Sequence, residues 1–321
     1  MHRLLYCFFL FIVLFFSACK KDLLHWQKIQ QINSNTTSRL SRIRFINDSL
    51  CIIAGGVKFA QSEVLRSVDG GYTWTNYSSS AAPKGMYGLS VAPDGTIYLC
   101  GIDGDILSSK DSGKTWQFNR IWNWLSYVGV SFPTNDTGVF VDNIAQDTGH
   151  IIQTDANFNI IDQYEFFFGL NDLYMVSPST GYVIGYGAVM KTTDFRRSWF
   201  FQDVKGDNFT AMDIHGDEMW LCGYNGCIFH TSNGGNHWDR LRNGNDITLP
   251  HYHLYSIIFK DSQHGWAAGE GGKLIYTDDA GHHWEEYDHF TNSTIRNIAI
   301  CPNGDLLVAG DNGALFRIVS K

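Results

Sequence analysis

The side chains that could perform chemistry are a few scattered acids and histidines. Asp142, Glu165 and Glu270 are carboxylates expected on loops of one face. Two of them could act as the acid and base of a glycosidase if the fold held them at the required separation. His251 and His253 alternate and could share a metal ion, but no third ligand stands near them. The spacing therefore predicts no catalytic constellation, no metal site and no cofactor.

Aromatic side chains concentrate in three stretches that connect repeated units of the chain. Connections on a rigid frame are where binding residues tend to lie, and clustered aromatics suit a glycan or a protein partner. The same side chains could instead plug a channel and pack between units. The candidate binding residues are Trp122, Trp124, Phe166, Phe167, His251, Tyr252 and His253.

A short pattern recurs along the chain and predicts how these residues are positioned. Its clearest copy runs from Ser109 to Trp116, with Asp111 and Gly113 between them. The acid accepts backbone hydrogen bonds in a tight turn, the glycine supplies a positive φ, and the tryptophan anchors the next strand. We call this pattern the Asp-box and interpret its role as structural. The six acid or amide positions are Asp69, Asp111, Asp155, Asp194, Asn233 and Asp279.

Two copies of the box are degenerate. In the copy of Asp194 the glycine is replaced by Arg196. In the copy of Asp155 it is replaced by Asn157, which we expect to adopt the positive φ, because asparagine tolerates that region better than most residues do.

Successive boxes begin at residues 67, 109, 153, 192, 231 and 277, so the repeat is about 40 residues long. Each unit contains four short runs of strand-forming residues and no helical period. This predicts an all-β, seven-bladed β-propeller of four-stranded antiparallel blades. The seventh unit lacks a box, so we expect residues 23–32 to complete it and close the ring with strands from both chain ends. Residues 19–321 would form this single domain.

The chain begins like an exported lipoprotein. Leu4–Phe16 is an apolar run that follows a basic start, which predicts a signal peptide over residues 1–18. The sequence from Phe16 to Cys19 resembles a lipobox, which implies lipidation of Cys19. The expected location is a membrane-anchored lipoprotein of the outer membrane, on its periplasmic side or at the cell surface. Alternatively, a signal peptide is cut nearby and Cys19 is an ordinary residue.

Charge and cysteine content narrow the function classes. The formal net charge of −8 argues against a nucleic-acid partner. Cys100 and Cys222 occupy the same position in their repeats and are expected to be small buried residues. Cys222 and Cys227 flank a short turn and could instead form a disulfide across the hairpin. The twelve arginines lie mostly outside the expected site loops, which disfavours a sialidase.

A run of Gly-x-x-Gly-x-Ile/Leu leads into the boxes, as from Gly101 to Ile106 and from Gly223 to Ile228. Together with the box, this run resembles the photosystem II stability/assembly factor family within the BNR/Asp-box propellers. The resemblance implies a scaffold rather than an enzyme. We therefore expect a lipid-anchored, non-enzymatic binding or assembly scaffold of the cell envelope. Its partner would be a protein or a glycan bound on the face that carries the connecting loops. The alternative is a glycan-binding protein or glycoside hydrolase on a propeller.

Overall fold

The computed structural model describes residues 24, 28–77, 82, 84–143, 147–194, 198–204 and 207–319. In this part of the chain, 28 strands form seven four-stranded antiparallel sheets, accompanied by four short 3-10 segments. The predicted all-β, seven-bladed propeller is confirmed. The proposed signal peptide and Cys19 lie outside the described residues. Among the described residues, no helix has the length and apolar character needed to cross a membrane.

The strands of blades 1 to 4 are, blade by blade, β2 (Arg39–Phe45), β3 (Cys51–Val57), β4 (Gln61–Ser67) and β5 (Thr75–Asn76); β6 (Met86–Val91), β7 (Ile97–Gly101), β8 (Asp105–Ser109) and β9 (Gln117–Arg120); β10 (Tyr127–Ser131), β11 (Gly138–Asp142), β12 (Gly149–Thr154) and β13 (Ile160–Phe166); and β14 (Leu170–Met175), β15 (Gly181–Gly185), β16 (Ala188–Thr192) and β17 (Phe200–Phe201).

The strands of blades 5 to 7 are β18 (Phe209–His215), β19 (Glu218–Gly223), β20 (Ile228–Thr231) and β21 (Asp239–Arg242); β22 (Leu254–Phe259), β23 (Gly265–Gly269), β24 (Leu274–Thr277) and β25 (Glu285–Glu286); and β26 (Ile295–Ile300), β27 (Leu306–Gly310) and β28 (Leu315–Val319), which β1 (Lys28–Gln31) completes.

Strands from both chain ends close the ring, as expected. β1 pairs antiparallel with β28 from Lys28 opposite Val319 to Gln31 opposite Phe316. The backbone N–H of Ile32 extends the pairing by donating to the Leu315 carbonyl at 2.8 Å. Blade 7 therefore presents no unpaired outer edge along β28, which blunts a route to aggregation. Within the stretch 23–32, residues 23 and 25–27 lie outside the described part.

Among the described residues the core is divided into seven clusters, one at each interface between neighbouring blades. Blades pack face to face, so both faces of a second strand are covered, and β7 and β11 are buried along their whole length. At the interface of blades 5 and 6, the fully buried Trp220 stacks on Phe259 with ring centroids 3.8 Å apart.

The boxes lie in the turns between third and fourth strands. In the first box, Asp69 Oδ1 accepts hydrogen bonds from the backbone N–H groups of Tyr72 at 3.0 Å and Thr73 at 2.9 Å. The Ser67 hydroxyl donates to Asp69 at 2.7 Å and accepts from Gly71 N at 2.8 Å. The hydroxyl and the carboxylate of this box are thus satisfied within the turn.

The degenerate box at Asp155 departs from the expectation. The positive φ of 63° belongs to Phe158, and the expectation that Asn157 adopts it is wrong. The reason is a tighter turn: Phe158 N donates to the Asp155 carbonyl at 3.1 Å, and Asp155 N donates to the Asn159 carbonyl at 3.0 Å. The left-handed residue therefore falls one position later than in the full boxes.

The Gly-x-x-Gly runs form the turns between second and third strands in blades 2, 5, 6 and 7. They are 3-10 turns at Ile102–Gly104, Tyr224–Gly226, Glu270–Gly272 and Asp311–Gly313. Gly104 has a φ of 75°, and a Cβ there would collide with the backbone carbonyl of Ile121. This close approach lets Gly104 N donate to the Leu125 carbonyl at 2.7 Å. The turn thereby fixes the connection to the next blade.

The described cysteines are buried free thiols. Cys222 lies in the core cluster between blades 5 and 6, whereas Cys227 lies in the cluster between blades 4 and 5. Because these side chains lie on opposite faces of one blade, they do not form the cross-hairpin disulfide left open above. Burial raises the pKa of Cys222 to about 12, so it is a neutral packing residue.

Candidate functional site

The seven innermost strands surround an axial channel that opens on one face into a cavity of about 550 Å³. This face carries the turns between second and third strands and the connections between blades, and we call it the loop face. The first residues of the innermost strands and several of these turns line the cavity, which we call the channel mouth. Its main side chains are Arg39, Arg42, Lys58, Phe59, Tyr87, Tyr224, Tyr255 and Arg296.

Three arginines give the channel mouth its charge. Arg296 is held by Asp311, with nitrogen–oxygen distances of 2.9 and 2.6 Å. Arg42 donates to Asp172 at 2.6 Å. Arg39 has no carboxylate partner within the described ranges. Desolvation in the recess, together with the charge of Arg296, lowers the pKa of Arg39 to about 10, so it remains a cation at neutral pH.

Tyrosine rings form the walls beside these cations. The Arg39 guanidinium lies 5.1 Å from the centre of the Tyr87 ring, and that of Arg296 lies 4.6 Å from the Tyr255 ring. Burial raises the pKa of both tyrosine hydroxyls, which keeps them neutral. The mouth therefore offers cations on an aromatic wall, an arrangement suited to a carboxylate on an otherwise apolar segment.

A partly buried ion pair closes the bottom of the mouth. Arg42 of blade 1 and Asp172 of blade 4 meet across the channel, and the Tyr174 hydroxyl donates to the same carboxylate at 3.0 Å. Desolvation raises the pKa of Asp172 while the charge of Arg42 opposes that shift. Arg42 borders a second cavity below, so this pair forms the waist of the channel.

Blade 1 contributes an apolar lip instead of a 3-10 turn. Its β3–β4 hairpin ends at Lys58 and Phe59, both of which border the mouth. Phe59 is 66% exposed, and the Lys58 ammonium lies 5.1 Å from its ring centre. An exposed aromatic at the rim of a charged recess is a contact point for the apolar part of a ligand.

The sequence-predicted aromatics lie elsewhere on the protein. Trp122 and Trp124 are 74% and 61% exposed, and their rings meet edge to face with centroids 6.1 Å apart. Arg120 lies within 5.2 and 5.5 Å of these two ring centres. Phe167 is 92% exposed, whereas Phe166 is partly buried against the core between blades 3 and 4. None of these side chains borders the channel mouth.

The third predicted cluster, formed by His251, Tyr252 and His253, is partly used for packing. Tyr252 lies between Arg242 and Lys273, 4.9 and 5.0 Å from its ring centre. The His253 ring stacks on Tyr224 at 4.0 Å, and His251 Nε2 donates to the Asp246 carbonyl at 3.1 Å. The two histidines thus have different partners. The described residues contain no group of three or more side chains that could hold a metal ion.

The acids weighed as a glycosidase pair are not brought together at the mouth. Asp142 is fully buried and accepts from His150 N at 2.5 Å. Glu270 accepts from His253 N at 3.1 Å, and Glu165 is exposed on the outer strand of blade 3. Of the described acids, Asp103 is the one that borders the mouth, and it is paired with Lys84. A pair of opposed carboxylates, which glycoside hydrolysis requires, is not formed there.

Comparison with known proteins bears on this geometry. Residues 163–250 match the family model described as photosynthesis system II assembly factor YCF48. A curated relative, the photosystem II assembly lipoprotein Ycf48 of Synechococcus sp. (strain CC9902), is 29% identical over 76 residues. That match covers 22% of this chain and 23% of the relative, so it spans about a quarter of each.

Among solved structures, YCF48 bound to D1 peptide has a TM-score of 0.70 and 16% identity, and the match covers 92% of this chain and 95% of that chain. This chain is similar to the photosystem II assembly factors. The resemblance predicted from the repeats is therefore confirmed.

The fold alone does not select a function for this assembly factor-like propeller. A virginiamycin B lyase from Staphylococcus aureus has a TM-score of 0.72 and 14% identity, with 92% of this chain and 99% of that chain covered. An assembly factor and a lyase thus share this frame about equally well. Function has to be argued from the side chains at the site.

Sequence reasoning missed the arginines of the channel mouth. Arg39 and Arg42 belong to β2, and Arg296 belongs to β26. A signal was present, because cations alternate with buried residues in β2, and a charged residue on an innermost strand must point into the channel.

Proposed function

We propose that this protein is a non-enzymatic assembly scaffold that holds an acidic segment, or the chain end, of a partner protein in the channel mouth. One observation carries the proposal: Arg39, a cation without a carboxylate partner among the described residues, lies beside Arg296 on a tyrosine-lined wall. A guanidinium in this setting is suited to bind a carboxylate through paired hydrogen bonds.

The surroundings of Arg39 favour a peptide over a free ion. The mouth measures about 550 Å³, which is within the range of sites that hold small ligands and a few residues of a peptide. Phe59 and Tyr87 offer apolar contact next to the charge. A segment that combines a carboxylate with an apolar side chain would use both features. The solved YCF48 with a bound D1 peptide supports peptide binding on this fold.

The same proposal includes a lipid anchor. Residues 1–18 act as a signal peptide, Cys19 carries the lipid, and residues 19–321 form one exported domain at the cell envelope. The lipobox-like sequence supports this assignment, and so does the curated relative, which is named a lipoprotein. Anchoring would keep the scaffold beside membrane-bound partners and raise its local concentration there. Mass spectrometry of the full chain from membranes tests it: an unlipidated Cys19 would contradict the anchor.

Glycan binding is a second candidate, favoured by the Trp122–Trp124 pair. Trp124 has a φ of 61°, and hydrogen bonds hold the loop, including one from the Asn123 amide to the Tyr127 hydroxyl at 2.8 Å. A rigid loop that displays two exposed indoles suits stacking on a sugar ring. A glycan array tests this candidate, since binding should disappear in Trp122→Ala and persist in Arg39→Ala.

The main proposal is tested by capturing partners from detergent-solubilised membranes with the tagged full chain. The matched variants are Arg39→Ala and Arg44→Ala, which remove arginines at opposite ends of β2. We expect a stoichiometric protein partner with the wild type and Arg44→Ala, and its loss with Arg39→Ala. Equal recovery by both variants would place the partner elsewhere and overturn the proposal.

A further inference from the structure

Below the waist, the axial channel widens into a second cavity of about 560 Å³. Its walls are the later halves of the innermost strands of all seven blades, and it opens toward the face that carries the boxes. We call this space the lower chamber. The pair of Arg42 and Asp172 separates it from the channel mouth, so the two spaces can have different ligands.

Polar side chains in the lower chamber brace neighbouring blades. Ser90 Oγ accepts from Phe132 N at 3.1 Å, linking blade 2 to blade 3. Ser256 Oγ accepts from Ile298 N at 3.1 Å, linking blade 6 to blade 7. The Asn297 side-chain oxygen accepts from Ile43 N at 2.8 Å, linking blade 7 to blade 1. These acceptors satisfy backbone groups that the inner strands would otherwise leave unpaired.

The acids of the lower chamber are committed in the same way. Asp213 accepts from Phe259 N at 2.6 Å and from Ile214 N at 3.1 Å, and it pairs with His215 at 3.1 Å. Asp172 accepts from Leu173 N at 2.8 Å in addition to its bonds with Arg42 and Tyr174. Both carboxylates therefore have their charge and lone pairs occupied by protein groups.

Arg44 differs from all of these groups. It borders the lower chamber from β2, and its guanidinium makes no hydrogen bond, ion pair or ring contact with any residue that the structure describes. Desolvation by the surrounding protein lowers its pKa. A guanidinium remains charged under these conditions, so a solvent-accessible positive charge stands beside acceptors that are already used.

We propose that the lower chamber is a second ligand site, which binds a small oxyanion, of the carboxylate or phosphate class, through Arg44. An anion there would pair with the uncommitted guanidinium through charge-assisted hydrogen bonds, which are stronger than those between neutral groups. The chamber volume lies in the range of small-molecule sites. This site is separate from the channel mouth and does not depend on the function proposed for it.

The test is calorimetric titration of the full chain with inorganic phosphate, and separately with citrate, at neutral pH and low chloride. The reference protein is Arg39→Ala, in which the proposed carboxylate site of the channel mouth is removed. Arg44→Ala and Arg44→Lys are each added to it, so that the titration reports on the lower chamber alone. Thermal unfolding of each variant without ligand establishes that it is folded. If Arg44→Ala is unstable, Arg44→Met keeps the apolar stem without the charge.

We expect saturable binding of at least one anion by the reference protein Arg39→Ala. Arg44→Ala should weaken that binding by roughly tenfold or more, with Arg44→Lys intermediate, because a lysine keeps the charge but loses the fork. Two results would overturn the proposal: no saturable binding by Arg39→Ala, or unchanged binding when Arg44→Ala is added to it. The first would assign any anion that the wild type binds to the channel mouth.

Discussion

Two arginines five positions apart on one strand have different surroundings because they lie at opposite ends of the channel. Arg39 lies on a tyrosine wall beside Arg296, and Arg44 borders the lower chamber. Between them, Arg42 is bound by Asp172. A single strand therefore supplies a cation for the proposed partner, one for the waist and one for the proposed anion. Each can be removed without removing the others.

The acids of the boxes make the folded state sensitive to low pH. Hydrogen bonds from Thr73, Ser67 and Tyr72 outweigh partial desolvation and lower the pKa of Asp69 to about 2. In the same way, bonds from His283 and Thr277 lower the pKa of Asp279 to about 2. An aspartate in an unfolded chain has a pKa of about 3.9. The depressed folded-state pKa means that these groups stabilise the protein above about pH 4, and the stabilisation is lost as the pH falls toward 2.

We predict that the thermal unfolding temperature of the wild type falls steadily from pH 4 to pH 2, and that Asp69→Asn reduces this slope. An asparagine is compatible with this position, because Asn233 occupies it in another box of the same chain and accepts a hydrogen bond from His237 N at 2.9 Å. Solvent screening keeps the effect of one exposed box small. A slope that is the same in the variant and the wild type would show that the boxes do not control acid unfolding.

At the scale of the element, the glycine run determines how a blade is joined to the next. Gly104 is the residue whose backbone bonds to the following connection, which carries Trp122 and Trp124. Gly95 also has a positive φ, of 85°, but a Cβ there would meet nothing within 4 Å. Substituting Gly95 therefore measures the cost of the backbone conformation alone, whereas substituting Gly104 adds the cost of a steric collision.

We predict that Gly95→Ala lowers the free energy of unfolding by about 1 kcal/mol, the usual cost of a left-handed alanine. Gly104→Ala should lower it by at least about 2 to 3 kcal/mol, because the Ile121 carbonyl must also move. Urea denaturation of both variants gives the comparison. Equal losses would mean that the connection adapts to a side chain without cost, and that Gly104 does not fix it.

At the scale of the element, the sequence predicted the turns where the residues required by the backbone conformation also supply the hydrogen bonds of the turn. The full boxes and Gly-x-x-Gly runs predicted turns, because each uses residues that bond within a few positions of themselves. At Phe158 the same reasoning failed, since the turn became tighter once the glycine was missing. A sequence motif therefore predicts the turn while all of its residues are present. When one residue is missing, a different set of hydrogen bonds forms and the turn changes.

At the scale of the whole molecule, the seven sheets depend on a closure made by the first described strand. Ile29 packs against the core cluster between blades 6 and 7, whereas its neighbour Gln30 is exposed. Successive side chains of a strand face opposite ways, so the two positions form a matched pair.

We predict that Ile29→Asp lowers the free energy of unfolding by about 2 to 3 kcal/mol by burying a charge without a partner, and that Gln30→Asp changes it by less than about 0.5 kcal/mol. Chemical denaturation measures both. If Ile29→Asp were as stable as the wild type, β1 would not be a required part of blade 7.

The candidate site is also a property of the whole molecule, which is why the sequence did not predict it. The side chains of the channel mouth come from all seven innermost strands. Arg39 and Arg296 are far apart in sequence and become neighbours only when the ring closes between blades 7 and 1. The aromatic loops were visible as local clusters, whereas a site assembled by closure carries no local pattern.

The central claim is that Arg39 makes the channel mouth a receptor for a carboxylate on a partner's peptide. The most direct test is the anisotropy of fluorescent peptides that end in an acidic residue and a free carboxylate, compared with matched amides lacking the acid, against wild type, Arg39→Ala and Arg44→Ala. A charge-assisted bond contributes about 1.5 to 3 kcal/mol, so we predict that Arg39→Ala weakens the acidic peptides roughly 10- to 100-fold. Arg44→Ala should bind like the wild type, and the amides should bind weakly to all three. Acidic peptides that bind Arg39→Ala as tightly as the wild type, or amides that bind as tightly as acids, would contradict the account.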